Sequence, residues 1–343
     1  MNYKNIFNGK NKYPVLIAEI GINHNGSISL AKKMIKSAKL SGADVVKFQT
    51  HIVDKEMLPD NNQNKKASHL KGESLYQILK KCTFSKKQHI ELMNYCKSLN
   101  VLFLSTPFCI EAVDLLSEIG VEAYKIGSGE TNNYNFVDYV LSKKKPVFIS
   151  TGTSSHLNLT NLKKNIKYNQ NKLIVMQCTS NYPTNYVDSN VKYILEIKKL
   201  FKTNVGFSDH SSGNYASFAA SVIGASVIER HFTLSRSLPG IDQSSSLEPN
   251  EFKDLRDGLN AITDSMGKNK KVNRESKKVI NGFSHSIVSI ANIKKGEKLI
   301  KGNNIWYKRP GSGISANKIN DIHGKKALKR IDIDSLLKKT DFS

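Results

Sequence analysis

Two histidines stand at the ends of two apolar, strand-like segments within residues 205–233. His210 closes the segment that begins with residues 205–207, and His231 closes the one that begins with residues 227–228. The small, apolar residues between them suit a packed helix, which gives the order strand, helix, strand. Neutral imidazoles bind divalent transition metals, so the pair predicts a metal site with open positions for water and substrate oxygens, with Asp209 orienting His210. The alternative is a pair of core histidines.

Charged side chains inside other apolar runs point to an anionic ligand. Lys47 and Lys125 each interrupt a strand-like run, where a lysine is costly unless its charge is met. Serine and threonine residues follow several of these runs, and buried cations among hydroxyl groups suit a phosphate or a carboxylate. The alternative is that each lysine pairs with a neighbouring carboxylate. Glu19 and Glu130, at the ends of the first and fourth runs, are candidate general bases, or ion-pair partners of these lysines.

Three further histidines, His24, His51 and His89, fall in predicted loops or on a helix face. We expect them to be exposed to solvent.

Eight β-rich runs alternate with helical patterns along the first 267 residues. The runs cover residues 15–20, 45–49, 102–106, 123–127, 147–151, 174–178, 205–207 and 227–228. The helical patterns between and after these runs include residues 29–42, 85–100, 110–119, 157–168, 190–201, 213–224 and 249–266. Eight such units predict an α/β protein of the (β/α)8 TIM-barrel class, whose active site lies at the carboxyl ends of the strands. The long connection 51–83 predicts an excursion over the barrel mouth.

The composition changes after the barrel. We predict a barrel domain at residues 1–267, a polar linker at 268–282 and a small β-rich domain at 283–343. The net charge of +23 is spread along the chain without a basic-aromatic motif, which favours solvated surface over nucleic-acid binding. Neither a membrane-spanning run nor a signal-peptide core is present in the sequence, so we expect a cytoplasmic protein.

Eight ordered motifs together resemble the sialic acid synthases, and the resemblance covers essentially the whole chain. They are AEIGINHNG (18–26), VKFQTH (46–51), STPF (105–108), YKIGSGE (124–130), STG (150–152), SDH (208–210), ERHFT (229–233) and KRPG (308–311). The resemblance implies that the C-terminal piece is an antifreeze-like (SAF) domain. It further implies a domain-swapped homodimer, in which this domain reaches the partner's active site.

The resemblance also assigns roles to individual residues. It implies that Glu19 is the catalytic carboxylate and that His210 and His231 hold a divalent metal, manganese in most members, with magnesium or cobalt as alternatives. The positions matching phosphoenolpyruvate contacts are Lys47, Thr106, Lys125, Ser128, Ser150, Ser180 and Ser208. The positions matching contacts to the acceptor sugar are Gln49, Glu130, Tyr182, Asp242 and Arg309.

The reaction implied is condensation of phosphoenolpyruvate with the open-chain aldehyde of N-acetylmannosamine and water, giving N-acetylneuraminate and phosphate by C–O cleavage. The stretches 49–51 and 130–134 favour this neuraminate type. The alternative is a legionaminate or pseudaminate synthase that uses a 2,4-diacetamido-2,4,6-trideoxyhexose. A non-catalytic basic binding protein is a third interpretation, from a different class.

The chain departs from the family pattern at several positions. Ser180 stands where asparagine is common, Ile241 and Gln243 flank Asp242 where other residues are usual, and His285 replaces an arginine. Two of these departures lie beside the sugar-contacting aspartate, and so bear on the choice of sugar.

Overall fold

The computed structural model describes residues 1–59, 73–267 and 274–343. The chain forms two compact units, Met1–Met266 and Gly267–Ser343. Among the described residues, no helix combines the length and apolar character needed to cross a bilayer.

The first unit is built on an eight-stranded parallel sheet that curls into a nearly closed barrel, as the sequence predicts. The strands are β1 (Val15–Gly21), β2 (Val45–Thr50), β3 (Leu102–Pro107), β4 (Tyr124–Ile126), β5 (Val147–Ser150), β6 (Leu173–Cys178), β7 (Asn204–Asp209) and β8 (Val227–His231). Their order is β3-β2-β1-β8-β7-β6-β5-β4, so the first strand pairs with the last. Nearly every strand residue is buried, as expected for a parallel sheet covered by helices.

Helices follow the strands and cover the outside of the barrel. The helices of this unit are α1 (Tyr3–Phe7), α2 (Ile28–Leu40), α3 (Val53–Glu56), α4 (Leu75–Cys82), α5 (Lys86–Ser98), α6 (Ile110–Glu118), α7 (Tyr134–Ser142), α8 (His156–Asn165), α9 (Tyr193–Phe201), α10 (Tyr215–Val222) and α11 (Pro249–Ser265). Several begin at serine caps; Ser85, for example, accepts a hydrogen bond from the Gln88 backbone, whose side chain accepts one from the Ser85 backbone. The predicted excursion 51–83 contains α3 and α4, and its middle, 60–72, lies outside the described residues.

The short helix α1 closes the amino-terminal end of the barrel. Tyr3, Ile6 and Phe7 are buried against apolar side chains from the barrel interior, among them Phe148. The Tyr3 hydroxyl donates to the carbonyl of Phe103 at 2.7 Å. A five-residue helix is too short for a periodic pattern, and the sequence analysis did not predict it.

The second unit contains α12 (Arg274–Phe283), β9 (Ser286–Ser289), β10 (Ile305–Lys308) and α13 (Ile319–Ile322). The strands β9 and β10 pair antiparallel. A small apolar core includes Ile287, Ile305 and Leu337. The predicted linker begins outside the described residues and continues as α12.

Candidate active site

A cavity of about 310 Å³ opens at the carboxyl ends of the barrel strands. The predicted site residues that line it are Glu19, Lys47, Gln49, Thr106, Lys125, Ser128, Glu130, Ser150, Ser180, Tyr182, Ser208, His210 and His231. Asp242 lines an adjoining cavity, together with Gln49, Glu130, Tyr182 and His231. Arg309 belongs to the second unit and is exposed there, with its guanidinium 5.2 Å from the centre of the Phe283 ring.

Two buried lysines and two buried carboxylates form a connected cluster at the bottom of this cavity. Lys47 Nζ lies 3.3 Å from Glu19 Oε2 and 3.2 Å from Glu229 Oε1, and Lys125 Nζ lies 3.4 Å from the same Glu229 oxygen. Lys125 also donates to Ser150 Oγ at 2.7 Å. The strand register explains part of this cluster, because Glu19 stands level with Lys47 on one side and with His231 on the other.

The cluster sets the charge of the cavity. Burial raises the pKa of Glu19 to about 7; Lys47 opposes this shift and Glu229 adds to it. At Glu229 burial acts against ionisation, but Lys125 and Lys47 outweigh it and hold the pKa below its usual value. Burial lowers the pKa of Lys125, whereas at Lys47 the two carboxylates more than offset burial and raise it. Two cations facing one firmly ionised carboxylate leave a positive field suited to an anionic ligand.

Glu229 is the site residue that sequence reasoning missed. It accepts hydrogen bonds from Lys125 and from Ser208 Oγ, the latter at 3.2 Å. The alternative that each buried lysine pairs with a carboxylate therefore holds for Lys47 and Lys125. The available signal was a glutamate two residues before His231 in an apolar strand, because alternate strand residues share one face.

A glycine makes room for the hydroxyl groups beside this cluster. A side-chain carbon at Gly152 would lie 2.3 Å from Ser180 Oγ, 2.9 Å from Ser128 Oγ and 3.0 Å from Cys178 Sγ. The Gly152 backbone N–H donates to Ser128 Oγ at 3.0 Å. Because Gly152 has no side chain, the hydroxyl groups of Ser128 and Ser180, both predicted contacts of phosphoenolpyruvate, can lie close together beside it.

A second glycine allows Glu19, the predicted catalytic carboxylate, to lie close to two residues that are predicted to contact the sugar. Gly21 ends β1 at φ +53°, where the pairing register with β2 shifts. A side-chain carbon there would lie 3.3 Å from Glu19 Oε1, 3.4 Å from Gln49 Nε2 and 3.7 Å from Asp242 Oδ2. A shift in strand register next to a site changes the direction in which the neighbouring side chains point.

The two predicted metal ligands are neighbours, with ring centroids 5.4 Å apart. His210 Nδ1 hydrogen-bonds to the carbonyl oxygen of Thr179 at 2.8 Å, which fixes the ring and leaves its other nitrogen for a ligand. Burial, assisted by His210, holds the pKa of His231 well below its usual range, so this imidazole is neutral, the form that binds metal. Within the described residues His231 Nδ1 has no hydrogen-bond partner, and it lies 4.0 Å from Asp242 Oδ2.

These observations fit a divalent ion held by two imidazoles. The described part of the chain contains no group of three or more histidine, cysteine, aspartate or glutamate side chains placed to bind a metal. An ion on His210 and His231 would therefore take its remaining ligands from water and substrate.

Asp209 does not orient His210, and that prediction was wrong. Residues alternate across a strand, so Ser208 faces the cavity while Asp209 faces outward towards α10. Its carboxylate pairs with Arg230 at 2.8 Å and accepts from Ser217 Oγ at 2.6 Å. Arg230 also donates to two backbone carbonyls, which makes the pair a structural connection between β7, β8 and α10.

His24, His51 and His89 are buried, which corrects the expectation that they are exposed. His24 stacks on Phe84, and burial lowers its pKa to about 3. His89 hydrogen-bonds to Thr50 Oγ1 and to the Ser85 carbonyl, both at 3.0 Å. His51 stacks on Phe108 and contacts Glu56.

The adjoining cavity combines polar groups with an apolar wall. Its polar lining includes Gln49, Glu130 and Asp242, and burial raises the pKa of Glu130 to about 7. Its apolar lining consists of Ile22, Met57, Leu75, Leu79, Phe108 and Ile241. A ligand with hydrogen-bonding groups on one side and methyl groups on another suits this lining.

Comparisons with known proteins place the chain in a family. The model of the NeuB family matches residues 34–271. The chain is 39% identical to the N,N'-diacetyllegionaminic acid synthase of Campylobacter jejuni subsp. jejuni serotype O:2, over 96% of this chain and 100% of that protein. It is 35% identical to the pseudaminic acid synthase of Campylobacter jejuni subsp. jejuni serotype O:23/36, over 95% of this chain and 96% of that one.

A solved structure is similar as well. The crystal structure of N-acetylneuraminic acid synthetase from Leptospira borgpetersenii serovar Hardjo-bovis, determined with citrate, superposes with a TM-score of 0.70 at 31% identity. The alignment covers 79% of this chain and 91% of that one.

Proposed function

The chain belongs to the NeuB family, and from that premise we propose that it condenses phosphoenolpyruvate with an N-acylated hexosamine to give a nonulosonic acid. The observation that carries the proposal is the buried pair Lys47 and Lys125 facing Glu229 at the bottom of the cavity. Phosphoenolpyruvate carries a carboxylate and a phosphate. In this proposal these groups replace the carboxylate of Glu229 as partners of Lys47 and Lys125.

The reaction follows from the charges around this cluster. C3 of the enol phosphate attacks the aldehyde carbon, water adds to the resulting cation at C2, and phosphate leaves by cleavage of its C–O bond. Glu19, with its pKa near 7, accepts the proton of the attacking water, while Lys47 and Gln49 hold its two oxygens. A divalent ion on His210 and His231, manganese in this proposal, would polarise the aldehyde oxygen.

For the sugar, we propose a 2,4-diacetamido-2,4,6-trideoxyhexose, which makes the product a legionaminate-type acid. The sequence analysis favoured N-acetylmannosamine, and the comparisons support the alternative better, through the whole-length similarity to the legionaminic acid synthase. The apolar wall of the adjoining cavity supports the same choice, because the deoxy sugar carries a methyl group at C6 and two acetyl methyls.

The test is a panel of N-acetylmannosamine and stereoisomers of the diacetamido sugar, each with phosphoenolpyruvate and manganese. We expect phosphate release and a product of the diacetylated mass with the trideoxy sugar, at a kcat/KM at least about tenfold above that for N-acetylmannosamine. A preference for N-acetylmannosamine would reject the sugar assignment alone. Absence of phosphate release with every sugar would reject the synthase proposal.

We also propose that Arg309 acts in the active site of a partner subunit, and that residues 283–343 form an antifreeze-like domain in a domain-swapped homodimer. Glu19→Gln and Arg309→Ala variants are each expected to be inactive. Mixing them in equal amounts under conditions that exchange subunits should restore about a quarter of the wild-type activity. Half of the dimers then contain one chain of each kind, and one of the two active sites in such a dimer combines intact residues from both chains. No recovery after verified exchange would place Arg309 elsewhere.

A further inference from the structure

Four side chains form a hydrogen-bonded line that ends at Glu19. Glu56 Oε1 lies 2.7 Å from His51 Nδ1, and His51 Nε2 lies 3.1 Å from Gln49 Oε1. Gln49 Nε2 in turn donates to Glu19 Oε1 at 3.1 Å. We propose that His51 and Glu56 are positioning residues that fix the orientation of the Gln49 amide, and through it the Glu19 carboxylate. The inference rests on the proposed function only for its kinetic readout.

The order of donors and acceptors along the line supports this role. An ionised carboxylate only accepts, so Glu19 requires the NH2 group of Gln49, and the Gln49 carbonyl must then face His51. His51 Nε2 therefore donates to that carbonyl, while His51 Nδ1 hydrogen-bonds with Glu56 Oε1 at 2.7 Å. A flipped Gln49 amide would place its carbonyl against Glu19, acceptor against acceptor. The His51 donor opposes that flip.

The surroundings of His51 and Glu56 hold this line rigidly. Both side chains are more than nine-tenths buried, and the His51 ring stacks on Phe108 at 4.4 Å with 12° between the planes. The single turn of α3 returns the chain so that Glu56 reaches His51, five residues earlier. Glu56 Oε2 is buried without a hydrogen-bond partner in the described residues, so the imidazole is the contact that holds this carboxylate.

This line of hydrogen bonds ends at one of the two carboxylate oxygens of Glu19, the predicted general base. Glu19 Oε1 accepts from Gln49, while Oε2 faces Lys47 at 3.3 Å. Without the amide donor, the carboxylate keeps its lysine but is free to turn about its last bond. A general base must hold its accepting oxygen within hydrogen-bond reach of the water, so this freedom should lower kcat more than it raises KM for phosphoenolpyruvate.

The test is a double-mutant cycle between His51→Phe, which keeps an aromatic ring against Phe108, and Gln49→Met, which keeps the chain length but lacks the amide. His51→Phe alone is expected to lower kcat by about tenfold to a hundredfold, the usual range for residues that support a catalytic group. In the Gln49→Met background, His51→Phe should change kcat by less than about twofold, because the amide that His51 orients is already absent. An equal loss in both backgrounds, or no loss in either, would overturn the proposal.

Two further variants separate positioning from stability. His89→Phe removes a buried histidine that also makes two hydrogen bonds; it should lower the melting temperature comparably but leave kcat within about twofold. Glu56→Gln keeps an acceptor for His51 and should lower kcat by a smaller factor, about threefold, again only when Gln49 is present. This variant carries the test if His51→Phe fails to fold.

A second measurement does not depend on turnover. In protein labelled with ¹⁵N-glutamine, the Gln49 side-chain amide is identified by its loss in Gln49→Met. We expect slow hydrogen exchange of this amide in the wild type and fast exchange in His51→Phe. Unchanged exchange would overturn the inference, whereas an inactive wild type with a protected Gln49 amide would reject only the synthase proposal.

Discussion

Lys125, on β4, meets Glu229, on β8, at 3.4 Å across the inside of the barrel. The two residues are 104 positions apart in the chain. The contact neutralises part of the positive charge in the cavity before any substrate arrives. An anionic ligand of the kind we propose would therefore replace Glu229 as the partner of Lys125. This replacement can be measured through its effect on stability.

Glu229→Gln should destabilise the protein by about 3 kcal/mol, because it leaves two buried lysines with less counter-charge. Phosphate or phosphoenolpyruvate should then raise the melting temperature of the variant more than that of the wild type, since the ligand supplies the missing charge. Asp264→Asn, at an exposed ion pair with Lys12, serves as the control and should leave the melting temperature unchanged with and without ligand. An equal ligand-induced shift in Glu229→Gln and wild type would contradict this account.

Glu19→Gln should lower kcat by about 10²- to 10⁴-fold, because the amide keeps the shape of the side chain but cannot take a proton from water. The KM for phosphoenolpyruvate should change by less than about threefold, since Lys125, Ser150 and Ser208 are untouched. Steady-state phosphate release measures both constants. A rise in KM at unchanged kcat would make Glu19 a binding residue.

Gly152→Ala should raise the KM for phosphoenolpyruvate by at least about tenfold. The new methyl group would occupy the space in which Ser128 and Ser180 converge, so one of them must move. Gly129→Ala is the matched control, because a side-chain carbon there meets no atom within 4 Å. An unchanged KM in Gly152→Ala would show that the hydroxyl groups do not contact this substrate.

The contribution of Glu130 to the stability of the protein should fall as pH rises from about 4.5 to 7. Its pKa is raised from 4.5 to about 7 by burial, so over this range the folded state binds a proton that the unfolded state has released. Its contribution is complete below pH 4.5, is lost as pH rises through 7, and amounts to at most about 3 kcal/mol. In denaturant melts, the free energy of unfolding of the wild type relative to Glu130→Gln should decrease as pH rises through this range, and a difference that does not change with pH would contradict the assignment.

Asp209→Asn should cost about 3 kcal/mol of stability, since it leaves the buried Arg230 guanidinium without its counter-ion. If the pair is structural, the affinity of the folded variant for manganese should stay within about threefold of the wild type. Calorimetric titration with the ion alone measures this affinity. A large loss of metal affinity would restore Asp209 as a support for His210.

The barrel was predictable because each buried parallel strand is a nearly continuous apolar run, and polar residues mark where the strand ends. For the same reason the sequence placed Lys47, Ser150 and His231 at one rim. It could not show that Glu229 joins Lys47 and Lys125, because that contact depends on closure of the barrel across strands far apart in the chain. The outward position of Asp209, next to the cavity-lining Ser208, follows from strand alternation, which the prediction for Asp209 did not take into account.

The buried histidines were missed for a different physical reason. A histidine is tolerated inside when both ring nitrogens find partners, and His89 finds them in Thr50 and the Ser85 carbonyl. Those partners lie on another element or one turn away on the same helix, so local hydropathy does not reveal them.

Helix α1 closes the amino-terminal end of the barrel, and this limits the routes by which small molecules can reach the cavity. Tyr3, Ile6 and Phe7 fill the amino-terminal end with apolar side chains, so we expect the reactants and products of the proposed reaction to pass through the opening at the strand ends. The ligand bound by the lysines lies deeper than one in the adjoining cavity. We therefore expect the deeper reactant to enter first, and a stable analogue of the sugar to slow its exchange.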